Sequence, residues 1–467
     1  MRLIRWILVF ALVLVCTLTG WVPTIGSHEL SLQAMLAPAI PSATPAPPLS
    51  ALQLDVPRLQ QTLDRGDVTA AVQQVEVGWK HQYEAYYQGQ LASQLFSSYQ
   101  IARRLKQIAG LTNRKTALVY VISTPEHLEL ILVSPDQRPI HRRVIAANKA
   151  TLIQTINTFR LGIVNSTSQP SDYLPAAQQL YQWMIAPLEF ELQVQQINTL
   201  IFCLGGGLRS LPMAALHDGT QFLVEKYSFA IIPAFNLLDQ RPDSLADTKV
   251  LAMGSSEFPQ AAPLPAVPTE LIAINRLWEG ESWLNQDFTV DHLKARRSHY
   301  PFGIVHLATH ASFEPGSVDA SYIQFWNSQL QLNHLRELGL RQPVVQLLVL
   351  SACRTALGDP NAELGFAGLA VESGAKAALA SLWSVSDTGT LLLMINFYQN
   401  LKTASIKAEA LQQAQIAMLR GHAVLQSRSV IQTIPADLLP SELQAANPVD
   451  FSHPYYWAAF TVIGSPR

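Results

Sequence analysis

Apolar and polar positions change their rhythm three times along this chain. Trp6 to Val22 is an uninterrupted run with little polarity, preceded by Arg2 and Arg5. A basic start followed by an apolar stretch is the pattern of an export signal. The run falls just short of the ~20 residues that cross hydrocarbon. Thr24 and Gly26 put small residues before a cut after Gly26. A cleaved signal and an uncleaved membrane anchor over 1–26 therefore both stay open. Cys16 follows Val15, where a lipoprotein would carry a small residue. Residues 27–50 include the Pro/Ala-rich 36–48 and read as an extended linker.

From 51 to 114 the spacing is helical. Leu59, Leu63, Val68, Val72 and Val75 recur three to five residues apart. Trp79, Tyr83, Tyr86 and Tyr87 continue the stripe and read as core packing. From 117 the texture becomes β-rich. Residues 117–123 and 128–134 flank Pro125-Glu126-His127 and predict a hairpin. Helical segments follow near 150–164 and 173–186. Short apolar runs then occur at 199–205, 249–255, 303–309, 346–352 and 375–383. Runs apolar on both faces, interleaved with helices, predict a mostly parallel sheet covered on both sides. Helices are expected at 388–401 and 405–420, a loop excursion at 421–452 and a last strand at 455–464. No period of 20–50 residues repeats.

Composition narrows the function classes. Lys+Arg 32 against Asp+Glu 34 gives a net charge of -2, and 49% of residues are hydrophobic. That excludes an intrinsically disordered chain and a basic nucleic-acid binder. The three cysteines cannot make a disulfide scaffold, and no Cys/His spacing fits zinc. No G-x-S-x-G elbow is present, and Gly205-Gly206-Gly207 completes neither a dinucleotide nor a P-loop fingerprint.

In an open α/β sheet, chemistry gathers where strands end at their carboxyl edge. One apolar run ends at His310 and another at Cys353. On neighbouring strands, a thiol and an imidazole there suit a cysteine nucleophile served by a proton carrier. Against that stands the ordinary use of a strand cysteine as a small buried hydrophobe. A Cys203–Cys353 disulfide is a third reading for an exported chain. His306 reads as a core histidine deeper in the His310 strand.

Residues 306–310 (HLATH), 347–359 (LLVLSACRTALGD), 363–387 (ELGFAGLAVESGAKAALASLWSVSD) and 453–464 (HPYYWAAFTVIG) together resemble the CHAT domain family, as does 207–233. The likeness runs over about 115–467 and suggests an exported, repeat-poor bacterial member. CHAT domains are caspase-like, in the clan of caspases and separases. The resemblance implies an α/β fold with an open, mostly parallel sheet flanked by helices. Here it would carry an N-terminal hairpin and helical appendage (51–114) beside a 115–467 domain. It implies cysteine endopeptidase chemistry without a cofactor. Cys353 would be the nucleophile and His310 its partner, with an oxyanion hole from the N–H groups of Cys353 and Ala311. The family usually has Gly where this chain has Ala311. Trp383 and Asp387 are its candidate substrate-binding residues, Asp387 favouring a basic P1 side chain or else capping the helix that follows. Glu314 and Asp319 are weaker acidic candidates. The implied partners are a peptide or protein substrate and an activating protein. The alternative is an inactive caspase-like module that binds a peptide or protein in the same cleft.

Overall fold

The computed structural model describes residues 54–467 except 136, 240, 242–244, 246, 260 and 445–448. The signal, anchor and linker readings lie outside the described residues. Among the described residues, thirteen strands form one sheet. β1 (Thr116–Ser123) and β2 (Leu128–Val133) form the expected antiparallel hairpin, and β3 (Ile140–Val144) extends it. The others are β4 (Thr199–Leu204), β5 (Ser228–Ile232), β6 (Val250–Gly254), β7 (Gly280–Leu284), β8 (Ile304–Phe313), β9 (Tyr322–Gln324), β10 (Gln329–Gln331), β11 (Leu347–Thr355), β12 (Ala377–Ser381) and β13 (Phe460–Gly464).

From one edge the order is β7-β6-β8-β11-β12-β13-β5-β4-β1-β2-β3. β7, β6, β8, β11 and β12 run parallel to one another. β13 lies antiparallel to β12 yet parallel to β5, so it joins two parallel blocks. β8 is long enough to have two neighbours on one side. Residues 304–308 pair with β6, and Ala311 and Ser312 pair with β9. Every residue of β4, β5, β6, β12 and β13 is buried. Their unbroken apolar sequences are what two covered faces require.

The N-terminal helices Val56–Asp64, Val68–Tyr86 and Ser98–Thr112 are part of that covering. Leu59, Val72, Val75 and Trp79 pack with Leu118, Tyr120, Ile131 and Ile201 in one apolar layer. Glu76 is fully buried within it. Its carboxylate accepts from Tyr120 Oη at 2.7 Å and from the N–H groups of Phe235 and Asn236 at 2.9 and 2.8 Å. Burial pushes this carboxyl above its ordinary range, against those three bonds.

The aromatic stripe reaches further, onto the helix Pro360–Ser373. Tyr87 Oη donates to the Gly365 carbonyl at 3.2 Å. A Cβ on Gly368 would stand 2.6 Å from Tyr87 Oη. Gly368→Ala is therefore expected to destabilise by about 1–3 kcal/mol through overpacking. Urea unfolding measures it, and an unchanged midpoint would refute this close helix crossing.

Two expectations change and a third gains detail. Residues 421–452 contain the helix Ala423–Ile431 and shorter turns. The Asn396 amide draws that helix in by donating to the Ala423 carbonyl at 3.2 Å and Ser427 Oγ at 2.9 Å. The run 455–464 begins as a helical turn, Pro454–Trp457, because His453 Nδ1 accepts from the Tyr455 N–H at 3.0 Å. Between the 249–255 and 303–309 runs, where helix was expected without bounds, two separate helices form, Val267–Leu277 and Val290–His299. No helix among the described residues is long and apolar enough to cross a membrane.

Candidate functional site

β8 and β11 are neighbours, so His310 and Cys353 lie on adjacent strands at the carboxyl edge. The register decides how they meet. His310 stands beside Ala352, and Cys353 beside Ala311. Side-by-side residues of parallel strands share a face, and successive residues alternate faces. The two side chains therefore leave opposite faces of the sheet. No hydrogen bond joins them among the described residues.

Their surroundings agree with that division. Cys353 is 0% exposed. Its Sγ contacts the Leu350 carbonyl oxygen at 3.5 Å. Its N–H donates to Ser381 Oγ at 3.3 Å, and Ser381 Oγ donates to its carbonyl at 3.2 Å. Burial pushes the thiol pKa up to about 12. Half-buried His310 faces the segment between β6 and the helix Val267–Leu277. Its Nε2 lies 2.7 Å from the Ala262 carbonyl oxygen, a bond that requires the proton on Nε2. The Phe258 ring sits 5.0 Å from the imidazole.

Ala311 is 2% exposed and packed in the core. Its φ is not positive, so the methyl that replaces glycine is held without backbone strain. The strand pairing runs past it, to Arg354 beside Ser312 and Thr355 beside Phe313. The candidate oxyanion donors thus sit within a paired stretch of sheet.

Asp387 is the first residue of the helix Asp387–Leu401, and the cap is its neighbour: Ser386 Oγ accepts from the Gly389 N–H at 3.2 Å. Burial raises the Asp387 carboxyl. A bond from the Ala266 N–H and the nearby His310 charge oppose that rise, while Glu270 adds to it. Asp387 thus belongs to the His310 side of the sheet. Trp383 is nearly buried, with Nε1 donating to the Tyr455 carbonyl at 3.1 Å. Glu314 accepts from Arg354 Nη2 at 2.6 Å and from Ser312 Oγ. Asp319 is exposed in the turn Val318–Ala320.

Below His310, His306 is fully buried. Its Nδ1 is 3.1 Å from Tyr398 Oη, and its Nε2 is 2.9 Å from Glu270 Oε1, at an angle too poor for a hydrogen bond. Cys203 and Cys353 are both free. Their strands, β4 and β11, are four steps apart in the sheet, about 19 Å, far beyond disulfide reach. Two participants escaped the sequence reading. Ser381 was hidden in an apolar run as its one central hydroxyl. Phe258 and Ala262, which cover His310, lie in a Pro-rich stretch of sequence without periodicity.

The chain was compared with known proteins. It is 23% identical over 354 residues to mouse tetratricopeptide repeat protein 28, covering 62% of this chain and 13% of that protein. It thus spans about an eighth of that curated relative. Two crystal structures of the Saccharomyces cerevisiae separase–securin complex superpose with TM-scores of 0.48 and 0.47 at 9% identity, each covering 86% of this chain and 34% of that one. The CHAT domain model matches residues 174–465, more than half of the sequence and every strand from β4 to β13. The chain belongs to the CHAT domain family.

Proposed function

We propose that this chain is a caspase-like cysteine endopeptidase in a latent conformation, with His310 and Cys353 as its dyad. The observation that carries the reading is the placement of these residues on adjacent parallel strands at one carboxyl edge. In the working state, His310 takes the Cys353 proton and the thiolate attacks the peptide carbonyl carbon. The N–H groups of Cys353 and Ala311 hold the oxyanion, each contributing on the order of 10²–10³ in rate. The C–N bond breaks as His310 returns the proton to the amine, and water then hydrolyses the thioester. Asp387, on the His310 side, suits a basic P1 side chain.

Reaching that state requires the Cys353 side chain to leave the core and come round to the His310 face, and its N–H to leave Ser381 Oγ. His310 must also exchange the Ala262 carbonyl for the thiol. An activating protein partner or a bound substrate would supply the difference. The basic-then-apolar leader supports action outside the cytoplasm, either secreted or membrane-anchored.

A second reading, an inactive module that binds a peptide or protein partner, is favoured by the complete burial of the thiol. Incubation of the full chain with a peptide library separates the two. Slow cleavage that disappears in Cys353→Ala and accelerates in Phe258→Ala is expected. Absence of Cys353-dependent cleavage in both wild type and Phe258→Ala would leave only the binding module.

A further inference from the structure

The three glycines after β4, which complete no nucleotide fingerprint, lie over a buried arginine. Their loop leaves the carboxyl end of β4, the edge at which open α/β sheets receive ligands. Arg209, two residues beyond Gly207, is 1% exposed. Its Nη2 donates to Gln82 Oε1 at 2.8 Å. Its Nε and Nη1 are buried without a hydrogen-bond partner. A group with five N–H donors thus makes one hydrogen bond.

No carboxylate pairs with this guanidinium among the described residues. The buried carboxylates Glu363 and Glu76 act on its neighbours Tyr83 and Cys203, yet both are bonded elsewhere. Glu363 accepts from Arg160, Ser210 Oγ and the Gly207 N–H. Glu76 accepts from Tyr120 and from the N–H groups of Phe235 and Asn236. The rings of Trp79 and Tyr83 stand 6.0 and 5.4 Å from Arg209 Cζ. Their π-faces attract the cation but replace neither a counter-charge nor the missing acceptors.

The way in is Gly206, which is exposed and whose φ is not positive. A Cβ there would stand 3.8 Å from Arg209 Nη1, with no other atom beyond its chain neighbours within 4 Å. The absent side chain leaves Nη1 one group's depth below the surface.

We propose that this loop is a binding site for a single oxyanion, a phosphate or carboxylate group, which enters over Gly206 and pairs with Arg209 Nη1. Guanidinium donors match the oxygens of both groups. β4 lies four strands from β11, so the site is separate from the His310–Cys353 dyad.

Calorimetric titration of the full chain tests it, with inorganic phosphate and malonate as probes at constant ionic strength. Saturable binding of at least one probe is expected, weakened about 10-fold or more by Arg209→Met. That change replaces an unpaired buried charge with an apolar side chain, which buried sites tolerate. Circular dichroism checks the fold. Gly206→Val keeps Arg209 and closes the entrance, and it should weaken binding as well. Arg103→Glu changes an exposed arginine elsewhere and should bind as wild type does. Binding of phosphate alone assigns a phosphate ligand, and of malonate alone a carboxylate ligand. No saturable binding of either probe overturns the proposal, as does undiminished binding in both Arg209→Met and Gly206→Val, or equal weakening by Arg209→Met and Arg103→Glu.

Discussion

Native chain treated with iodoacetamide at pH 7.5 should modify Cys353 about 10³-fold more slowly than an ordinary exposed cysteine. Only the thiolate reacts, and a free cysteine with a pKa near 8.5 is about a tenth ionised at that pH. With burial holding the Cys353 thiol at about 12, the ionised fraction falls to roughly 3 × 10⁻⁵. The sign follows from burial. The charged form loses its hydration, and a hydrogen bond from the Ser381 backbone offsets only part of that loss. The labelling rate should therefore climb through pH 10 without a plateau. An assembled thiolate–imidazolium pair would instead level off below pH 8.5. Peptide mapping by mass spectrometry distinguishes Cys353 from Cys203, whose thiol is also pushed up by burial. Both should label quickly in urea. Rapid labelling of native Cys353 with a low midpoint would refute the latent state.

That experiment touches what sequence could not convey. The strands carrying His310 and Cys353 were legible as apolar runs, because a sheet covered on both faces leaves few polar positions to confuse the period. Their adjacency was a condition the sequence left open, and the pairing of β8 with β11 meets it. The face of each side chain was not legible either. A one-residue change in register moves a side chain to the other side of a sheet. The pairing of β8 with β11 shifts between Leu350 and Ala352, and a local shift of this kind has no marker in composition. β3 was missed for a different reason. Its residues His141, Arg142 and Arg143 are polar and gave no apolar run to read, yet the two bonds of Arg143 to the buried Glu129 hold it to the sheet. Ser386, not Asp387, caps its helix: both residue types cap well, and the choice between neighbours depends on where the chain turns.

Removing the Glu363 side chain should cost about 3–5 kcal/mol, the largest stability loss expected of any single substitution considered for this chain. Glu363 is fully buried in the first turn of the helix that follows β11. Its carboxylate accepts from the Gly207 N–H at 2.7 Å, Ser210 Oγ at 2.6 Å and Arg160 Nη2 at 3.1 Å. Ser210 Oγ in turn accepts from Arg160 Nη2 at 2.6 Å and from the Gly358 N–H at 3.3 Å. The loop after β4, the loop after β11 and the helix Lys149–Ile163 thus meet at one carboxylate. Glu363→Ala leaves the Arg160 guanidinium buried without its counter-charge, and burial already lowers the Arg160 pKa. Arg160→Met should restore part of the loss in the double variant, because it removes the stranded cation. Urea unfolding with an unchanged slope measures both. The consequence extends to the site, because Gly358 is five residues beyond Cys353. Loosening that loop frees the end of β11, so Glu363→Ala should also speed native labelling of Cys353. Loss of stability without faster labelling would mean that the cysteine is held by the sheet alone.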